Sequence, residues 1–537
     1  MRSVIHNMGK EFTQELSAGI GDMERHPDLT GRDRLVSNVI FNWAAYFVFI
    51  VAGFIMPRMI DHRLGQELLG IWDFAWSLVS YFGLVQLGIG SSVNRYVAKY
   101  RASEDISGIN LIISSAGCIL GIAGLVVLGL TVTVSLMLPQ LFGHKLGENI
   151  NVAQWVVFFT GTGLGVQMAL SSFNGLLTGF HRWGLHNLIK SGWYLITVAG
   201  IIIALLKGGG LRSLAMVTFA GQAMESTTRV IFAYHIFEGL RIHPMLVKWR
   251  IIKKLFVFGG KTLIPSVSDL LLNQTASILI IAYTGPAALA LFARPRSLVL
   301  HINTLVSKMA MTLTPTTSSL QSTNNFKGIR ELLISSVRYS LYIVLPIVLV
   351  LVVFGDAIMQ LWMGQRYANG LIPAILALGY LAVFVQQPVL NILAGLNAHG
   401  RAGIAQLVAS LCSAGLTVLV LGYLKWGLAG AAVAVTLPLT VMNAAYLPRL
   451  GCRRVGLNMR RYFLSVIAGP AVYVLPFAIC LVGARLIFQT RPLIGLVWGG
   501  ATGGAALAVL YWRYVLPERI RIRVLRFVGK GCRWESM

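Results

Sequence analysis

The sequence predicts an all-α polytopic membrane protein, and two observations lead to that prediction. Of the 537 residues, 56% are hydrophobic and only 12% are charged, about half the charged share of a soluble protein. The apolar residues also follow one another in long runs, and a helix of about 20 such residues crosses a bilayer. Composition and pattern together exclude a series of soluble domains.

Each apolar run is long enough to be a transmembrane span. We number these runs as spans 1 to 14, and they cover residues 35–57, 69–93, 109–138, 152–180, 188–206, 213–236, 255–283, 287–315, 332–355, 371–395, 402–423, 428–448, 462–488 and 493–515. Residues 489–492 (QTRP) separate the last two spans. The sequence therefore predicts about fourteen transmembrane helices.

The distribution of charge predicts the orientation of these spans. Lys and Arg number 45 against 19 Asp and Glu, a net charge of +26. The cations concentrate in alternate loops, beginning with the N-terminal segment, and such loops face the cytoplasm. We therefore expect both termini in the cytoplasm. Because the cations lie in short loops between apolar runs, they suit anionic lipid rather than nucleic acid.

The sequence offers little for catalysis. Its five cysteines lie far apart, without a CxxC pair or the His spacing of a metal site, so we expect no metal and no cofactor. The loops predicted on the outer side have about 15 residues or fewer, as counted from the span limits, which is too short for a folded domain. Membrane glycosyltransferases and polymerases commonly carry large external loops or domains. A transporter is therefore expected rather than an enzyme.

Weak internal similarity at an offset of about 220 residues indicates a duplication. Gly65 matches Gly285, and Trp72 matches Phe292. Because each copy holds six spans, both copies have the same topology, with a substrate path expected between them. The predicted organisation is a cytoplasmic tail (1–34), an N-lobe (35–236), a basic cytoplasmic linker (237–254), a C-lobe (255–448), two added spans (462–515) and a basic cytoplasmic tail (516–537).

Span 8 carries a polar stripe through the apolar run. Arg294, His301 and Lys308 recur with Ser and Thr every three or four residues, so they share one helix face, and Arg296 lies beside it. Ionisable groups inside a membrane are costly and usually face a bundle interior or an aqueous cavity. These cations are candidate ligands for an anion. For Lys308 the alternative is that its side chain merely reaches the cytoplasmic interface.

Spans 6 and 7 carry further charges. Glu225 precedes Arg229 by four residues, which predicts a local ion pair, and leaves Arg229 as a weaker ligand candidate. Asp269 and Asn273 share a face of span 7, with Lys261 near its start. Asp269 is expected either to neutralise Lys261 or an arginine, or to bind a coupling ion. Both interpretations stay open.

Amide side chains occur in several other spans, including Asn42 in span 1. Such amides either form hydrogen bonds between helices or line a path for hydroxyl-rich groups. The predicted lining holds more cations than carboxylates and includes many amides. It suits an anionic, polyhydroxylated cargo, because guanidinium groups match phosphate oxygens. A hydrophobic drug cation would prefer carboxylates and aromatic rings.

A family resemblance lies in the first two spans. Its motifs are Asn38, the Asn42–Trp43 pair, and the segments 64–72 (LGQELLGIW), 84–90 (LVQLGIG) and 94–100 (NRYVAKY). These segments resemble the Wzx-like polysaccharide transporter family of the multidrug/oligosaccharidyl-lipid/polysaccharide (MOP) exporter superfamily. The rest of the chain is similar to that family through its topology.

The resemblance implies a flippase of the bacterial inner membrane. Relatives of this kind move undecaprenyl-pyrophosphate-linked oligosaccharides to the outer leaflet for O-antigen, capsule or exopolysaccharide assembly, by alternating access through a cationic central cavity. The expected partners are this lipid-linked cargo, the bilayer, and the polysaccharide polymerase or export machinery.

On this interpretation the substrate ligands are a set of cations and amides: Arg294, Arg296, Lys261, Lys308, His301, Arg229, Asn42 and Asn273. Asp269 and Glu225 are the charge-pairing or ion-coupling candidates. A lipid II flippase and a cation-coupled multidrug exporter of the same superfamily are the alternatives.

Overall fold

The computed structural model describes residues 35–86, 88–260, 263–518 and 521–522, without the side chains of residues 35–45 and 263–265. Within these ranges the regular structure is helical and contains no strand. Ten helical segments of the described chain are long and apolar enough to cross a membrane. The polytopic all-α fold is thus confirmed, while the count of fourteen spans stays a prediction.

The predicted N-lobe contains eight helices in the described residues. They are α1 (Leu35–Leu64), α2 (Gln66–Ser80), α3 (Ile89–Ala102), α4 (Ile106–Leu146), α5 (Ile150–Ala169), α6 (Ser172–Gly179), α7 (Trp183–Leu206) and α8 (Leu211–Ile236). A short 3₁₀ helix, Tyr81–Gln86, follows α2. Predicted spans 2 and 4 are therefore interrupted helices, since α2 and α3 divide the first of them and α5 and α6 the second.

The remainder of the described chain is equally helical. Its helices are α9 (Trp249–Gly259), α10 (Leu263–Thr284), α11 (Pro286–Ala310), α12 (Leu313–Ser322), α13 (Phe326–Met363), α14 (Leu371–Val385), α15 (Gln387–Gly395), α16 (His399–Val418), α17 (Gly427–Val441), α18 (Leu447–Val455), α19 (Met459–Ile487) and α20 (Pro492–Leu510). Single π-helical turns extend α16, α17 and α20.

The backbone repeats its unusual conformations from one lobe to the other. The paired left-handed residues are Gly65 (φ 94°) with Gly285 (φ 91°), Glu104 (φ 55°) with Asn324 (φ 55°), and His181 (φ 56°) with Asn397 (φ 53°). Residues other than glycine rarely adopt a positive φ, so its recurrence at matching positions indicates that both copies have the same local backbone conformation. The predicted duplication into two lobes of like topology is confirmed.

Helix caps repeat in the same way. The Asp105 carboxylate accepts a hydrogen bond of 2.7 Å from Gly108 N at the start of α4. The Asn325 side chain accepts one of 2.9 Å from Gly328 N at the start of α13. A side-chain oxygen at this position satisfies a backbone N–H that the first helical turn leaves unpaired. Each lobe thus begins its third span with an equivalent cap.

The lobes meet most closely where α2 crosses α11. A Cβ atom on Gly70 would lie 1.9 Å from the carbonyl oxygen of Pro286, so only glycine allows this approach of the two backbones. Beside it, Gln66 Nε2 donates a hydrogen bond of 3.1 Å to the carbonyl of Ala287. This crossing lies at the end of both helices that is predicted to face outward, which we call the outer end.

Three side chains near the outer end join α1 to the end of α13. Trp362 Nε1 donates to the carbonyl of Phe54 at 2.8 Å, and Arg58 Nη1 donates to the carbonyl of Leu361 at 2.7 Å. The Tyr367 hydroxyl donates to Asp61 Oδ1 at 2.7 Å. Burial and this carboxylate raise the pKa of Tyr367, so it remains a donor at every physiological pH. Together these contacts hold the lobes closed at the outer end.

Helix α9 belongs to the N-lobe in packing. Ile251 and Leu255 lie in one apolar cluster with Val93 and Ile109, and Ser92 Oγ donates a hydrogen bond of 2.9 Å to the carbonyl of Leu255. The sequence places the start of span 7 at residue 255, so the structure differs there. Apolar residues at every fourth position give this otherwise basic helix one buried face, which explains the difference.

The two added helices, α19 and α20, pack against α13. Phe354 and Ala357 of α13 form a small core with Phe477 and Leu481 of α19. Arg485 also forms an ion pair with Asp356. These helices lie outside the six-helix repeat, on the C-lobe.

Candidate functional site

A cavity of about 640 Å³ lies between the two lobes. Helices α1, α2, α5, α7 and α8 supply its N-lobe wall, and α10 and α11 supply the other wall. Polar side chains in the lining include Gln167, Gln222, Asn273, Gln274 and Ser277. Trp76 and Tyr194 add aromatic surfaces, and the buried Trp72 borders the cavity. A cavity that both lobes enclose and both amides and aromatic rings line can hold a polar, sugar-sized group.

Asp73 and Arg294 form an ion pair across this cavity. One Nη atom of the Arg294 guanidinium donates to both oxygens of the Asp73 carboxylate. Only 8% of the Arg294 side chain and 15% of the Asp73 side chain are exposed. Asp73 lies in the third turn of α2 and Arg294 in the third turn of α11, about 10 Å below the outer end. The pair therefore joins the lobes just below their closest approach.

Arg296 is engaged differently. Its Nη1 donates to the carbonyl of Asn273 at 2.7 Å, and its Nη2 donates to the carbonyl of Leu272 at 2.8 Å and to Asn273 Oδ1 at 3.3 Å. A guanidinium has five N–H donors, so several acceptors can share it. Asn273 Nδ2 in turn donates to Asp269 Oδ1 at 2.8 Å. Arg296 thus fixes α10 against α11 within the C-lobe.

A second cavity of about 300 Å³ adjoins the first, with Gln167 and Glu225 bordering both. It lies within the N-lobe, between the ends of α5, α7 and α8 that are farther from the outer end. Arg229 forms the ion pair with Glu225 that the sequence predicts, and its Nη1 donates to Asn174 Oδ1 at 2.7 Å. The lining also holds His186 and Lys190.

The structure brings together four of the eight ligand candidates and both charge-pairing candidates. Arg294, Arg296, Asn273, Asp269 and Glu225 line the larger cavity, and Arg229 lines the smaller one. Asp269 forms no ion pair among the described residues.

The other candidates lie away from these two linings. The ring of His301 stacks on that of Phe54, 5.7 Å away, and Lys308 Nζ lies 4.2 Å from the ring centroid of Tyr46. Lys261 and the side chain of Asn42 lie outside the described residues.

The expectation of a cation-rich lining does not hold for the larger cavity. Asp73, Glu225 and Asp269 face two arginines there, so carboxylates outnumber cations. Both arginines of this lining also contact other groups of the protein, Arg294 the Asp73 carboxylate and Arg296 backbone carbonyls of α10. The sequence reasoning gave Asp73 no role as a partner of Arg294, because the two residues are distant in the chain. Lys190 and His186 were missed because neither continues a long polar stripe.

The described structure is that of a helical membrane protein in which two like lobes enclose a cavity. The profile of the family described as "Polysaccharide biosynthesis protein" matches residues 35–321, which is more than half of the chain. The protein therefore belongs to this polysaccharide biosynthesis family. The resemblance to polysaccharide transporters in the first two spans is thereby confirmed.

Comparisons with individual proteins agree with this assignment. A Shigella flexneri protein named "Putative O-antigen transporter" is 20% identical over 408 residues, 74% of this chain and 94% of its own. An inward-facing MATE-family multidrug resistance transporter has a TM-score of 0.66 at 16% identity, covering 77% of this chain and 95% of its own. The lipid II flippase MurJ has a TM-score of 0.65 at 14% identity, covering 89% of this chain and all of its own.

Proposed function

We propose that this protein is a flippase that moves an undecaprenyl-pyrophosphate-linked oligosaccharide across the bacterial inner membrane for exopolysaccharide, O-antigen or capsule assembly. The single observation that carries the proposal is the cavity between two like lobes, lined in part by arginine and amide side chains, in a chain of the polysaccharide biosynthesis family. The similarity to a protein named as an O-antigen transporter supports it. On this proposal the protein is a transporter and not an enzyme.

The cavity suits the polar part of such a cargo. Sugar hydroxyls can exchange hydrogen bonds with Gln167, Gln222 and Gln274, and a sugar ring can stack on Trp76. The prenyl chain is as apolar as the bilayer core, so it gains nothing by leaving the lipid. We therefore infer that the head group and sugars cross through the cavity while the chain stays in the membrane.

The Asp73–Arg294 pair gives the cavity a means of receiving a pyrophosphate. An unpaired guanidinium away from water carries a large desolvation cost, and the Asp73 carboxylate offsets it in the structure described here. A pyrophosphate offers more anionic oxygens than a carboxylate and can take its place. Such an exchange would release Asp73 from Arg294, and with it one of the links that hold the lobes together.

The remaining ligand candidates take supporting places in this proposal. Arg296 adds positive charge to the wall beside Arg294, and Asn273, Arg229, His301, Lys308, Lys261 and Asn42 are the further groups that we propose to contact phosphate or sugar. Asp269, which has no ion pair in the described structure, is the proposed coupling-ion site. With both termini in the cytoplasm, the outer end faces the periplasm, and the cavity receives its cargo from the cytoplasmic side.

A lipid II flippase is the second candidate. The flippase MurJ covers 89% of this chain against 77% for the multidrug transporter, so the likeness to it extends over more of the chain. Both candidate cargoes are prenyl pyrophosphates and differ in their sugars. The multidrug alternative draws support from the carboxylates and aromatic rings of the larger cavity, which a drug cation would prefer.

The first experiment is depletion of the protein in its native host, followed by extraction of lipids and measurement of surface polysaccharide. We expect a prenyl-pyrophosphate oligosaccharide to accumulate in the cytoplasmic leaflet while surface polysaccharide is lost. The sugars on the accumulated lipid identify the cargo and distinguish an oligosaccharide repeat from lipid II. Normal lipid intermediates with increased drug sensitivity would contradict the proposal and favour a multidrug exporter.

The role of Arg294 is tested by substitution in the same host. Arg294→Ala leaves Asp73 without its partner and removes the proposed phosphate ligand, so export should fall at least tenfold at normal protein level. Arg485→Ala is the control, since it removes a partly exposed ion pair on the added helices, outside the cavity. Unchanged export in Arg294→Ala and Arg296→Ala would contradict these two ligand assignments.

A further inference from the structure

The lining of the smaller cavity of the N-lobe includes Lys190, which forms no ion pair with a carboxylate in the described structure. We propose that this cavity is the first binding site of the cargo's pyrophosphate, with Lys190 as its principal charge. The inference rests on the proposed flippase function and adds to it the place where the anionic group is captured. It differs from the ligand assignment drawn from the sequence, which places that group at α11.

The ion pairs of the described residues do not include Lys190. They join Arg229 to Glu225, Arg294 to Asp73 and Arg485 to Asp356. Lys190 Nζ instead lies 5.3 Å from the ring centroid of Phe49, a cation–π contact that is weak at an exposed site. An ammonium group held this weakly can turn toward an anion without breaking an ion pair.

Neutral hydrogen-bonding groups surround this lysine in the same cavity. The side chains of Gln86, Gln167, Ser171 and Asn174 all belong to the lining. Amide N–H groups and hydroxyls donate to phosphate oxygens, and a strongly hydrated ammonium binds phosphate as a point charge. The lining therefore combines an available cation with several neutral donors, which is the chemistry that a phosphate or pyrophosphate requires.

The arginines of α11 are less available in this state. An anion that binds Arg294 must first displace the Asp73 carboxylate, and Arg296 already donates to the backbone carbonyls of α10. An anion that binds Lys190 breaks no ion pair of the described residues and displaces the ammonium from its contact with the Phe49 ring. In the conformation described here, the N-lobe cavity should therefore bind the pyrophosphate before the span 8 arginines do.

The position of the cavity fits such an early step. Lys190 lies in the third turn of α7 and Arg229 in the last third of α8, which places both away from the closed outer end. Gln167 and Glu225 border both cavities, so the smaller cavity lies beside the larger one. On this proposal the pyrophosphate moves past these two side chains from Lys190 toward Arg294.

Glu225 limits the affinity of this site for anions. Its carboxylate neutralises Arg229, whose Nε has no hydrogen-bond partner among the described residues. Removing the carboxylate charge without changing the shape of the side chain would give the cavity a second available cation. Glu225→Gln should therefore strengthen anion binding, while Lys190→Gln should weaken it.

The test measures binding of farnesyl pyrophosphate, with farnesol as the uncharged probe, to the purified full-length protein in nanodiscs. Lys190→Gln should weaken farnesyl pyrophosphate binding about tenfold, which corresponds to about 1.4 kcal/mol, without changing farnesol binding. Lys190→Arg should stay within about threefold of the wild type because it keeps the charge. Lys207→Gln is the matched control, since Lys207 follows the opposite end of the same helix.

Glu225→Gln provides the second arm, with binding expected to tighten several-fold. Equal farnesyl pyrophosphate affinity in the wild type and Lys190→Gln would overturn the inference, and so would an equal loss in Lys190→Gln and Lys207→Gln. Farnesol binding and thermal midpoint, measured on each variant, identify a protein that has failed to fold. If Lys190→Gln fails to fold, farnesyl pyrophosphate binding by Lys190→Arg is the deciding measurement. Retained binding supports the role of the charge, and lost binding contradicts it.

Export in the native host separates this inference from the proposed function. If depletion abolishes export and Arg294→Ala weakens farnesyl pyrophosphate binding while Lys190→Gln does not, the flippase function stands and the Lys190 site fails. If depletion leaves the lipid-linked oligosaccharide and surface polysaccharide normal, the proposed function itself fails.

Discussion

The Asp73–Arg294 pair is the residue-scale feature on which the candidate site depends. Both groups are largely withdrawn from solvent, at 15% and 8% side-chain exposure. Two charges in such a place stabilise each other, whereas either one alone would be left buried without compensation. The pair also joins helices from different lobes, so its strength bears on both stability and the separation of the lobes.

A double-mutant cycle tests this coupling. Asp73→Asn and Arg294→Gln should each lower the free energy of unfolding by about 3 kcal/mol, because each leaves one buried charge unpaired. The double variant should lose clearly less than the sum, since it leaves neither charge. Thermal midpoints of the purified variants in detergent give the comparison. Strictly additive losses would mean that the two side chains do not interact.

At the same scale, the sequence shows which ionisable residues lie within a span, but it shows less well which groups those residues contact. Glu225 and Arg229 were predicted as a pair because four residues bring them to one face of a helix. Arg294 and Arg296 look alike in the sequence, yet one binds a carboxylate and the other binds backbone carbonyls. That difference depends on which helix lies opposite each side chain. The spacing of polar residues along one span does not predict which helix packs against it.

At the scale of elements, the crossing of α2 and α11 depends on one glycine. Gly70→Ala would place a methyl group 1.9 Å from the carbonyl oxygen of Pro286, and neither backbone can yield locally. We expect a cost of about 1–3 kcal/mol, typical of overpacking, together with weaker association of the lobes at the outer end. The thermal midpoint of the purified variant measures this cost.

Gly53→Ala provides the matched control. Gly53 lies in α1 and lines the same cavity, but a Cβ atom there would meet nothing within 4 Å. Alanine is favoured over glycine inside a helix by about 0.5–1 kcal/mol, so this variant should be neutral or slightly more stable. Equal losses in the two variants would contradict the close approach at Gly70.

The sequence predicts helices well because long apolar runs leave few other solutions in a membrane. It predicts their ends less well. Residues 255–259 are apolar enough to extend span 7, yet Leu255 packs in the N-lobe core as part of the separate helix α9. An amphipathic helix beside a span and an extension of that span have similar compositions, and only tertiary packing separates them.

At the scale of the whole molecule, the strong contacts between lobes in the described residues cluster near the outer end. They include Trp362 on Phe54, Tyr367 on Asp61 and the crossing at Gly70. The proposed alternating access would require these contacts to break when the cavity opens on that side. The duplication explains the geometry, since two like lobes can rock about the cavity between them.

A reversible cross-link tests this requirement. In a protein whose five native cysteines are replaced by alanine, Asp61→Cys and Tyr367→Cys would join α1 to the loop after α13 through a cleavable bis-thiol reagent. Because the cross-link keeps the outer end closed, it should reduce cargo transport in proteoliposomes at least tenfold, and a reductant should restore it.

The control pair, Gln360→Cys with Gln365→Cys, lies at the same end but within the C-lobe, where the two side chains form a hydrogen bond of 2.5 Å. Cross-linking it leaves both lobes free to move relative to each other, so transport should continue. Full transport by the Asp61–Tyr367 cross-linked protein would mean that the lobes need not part at the outer end. Inhibition by both cross-links would assign the effect to the reagent rather than to closure, so only inhibition confined to the pair that joins the lobes supports alternating access.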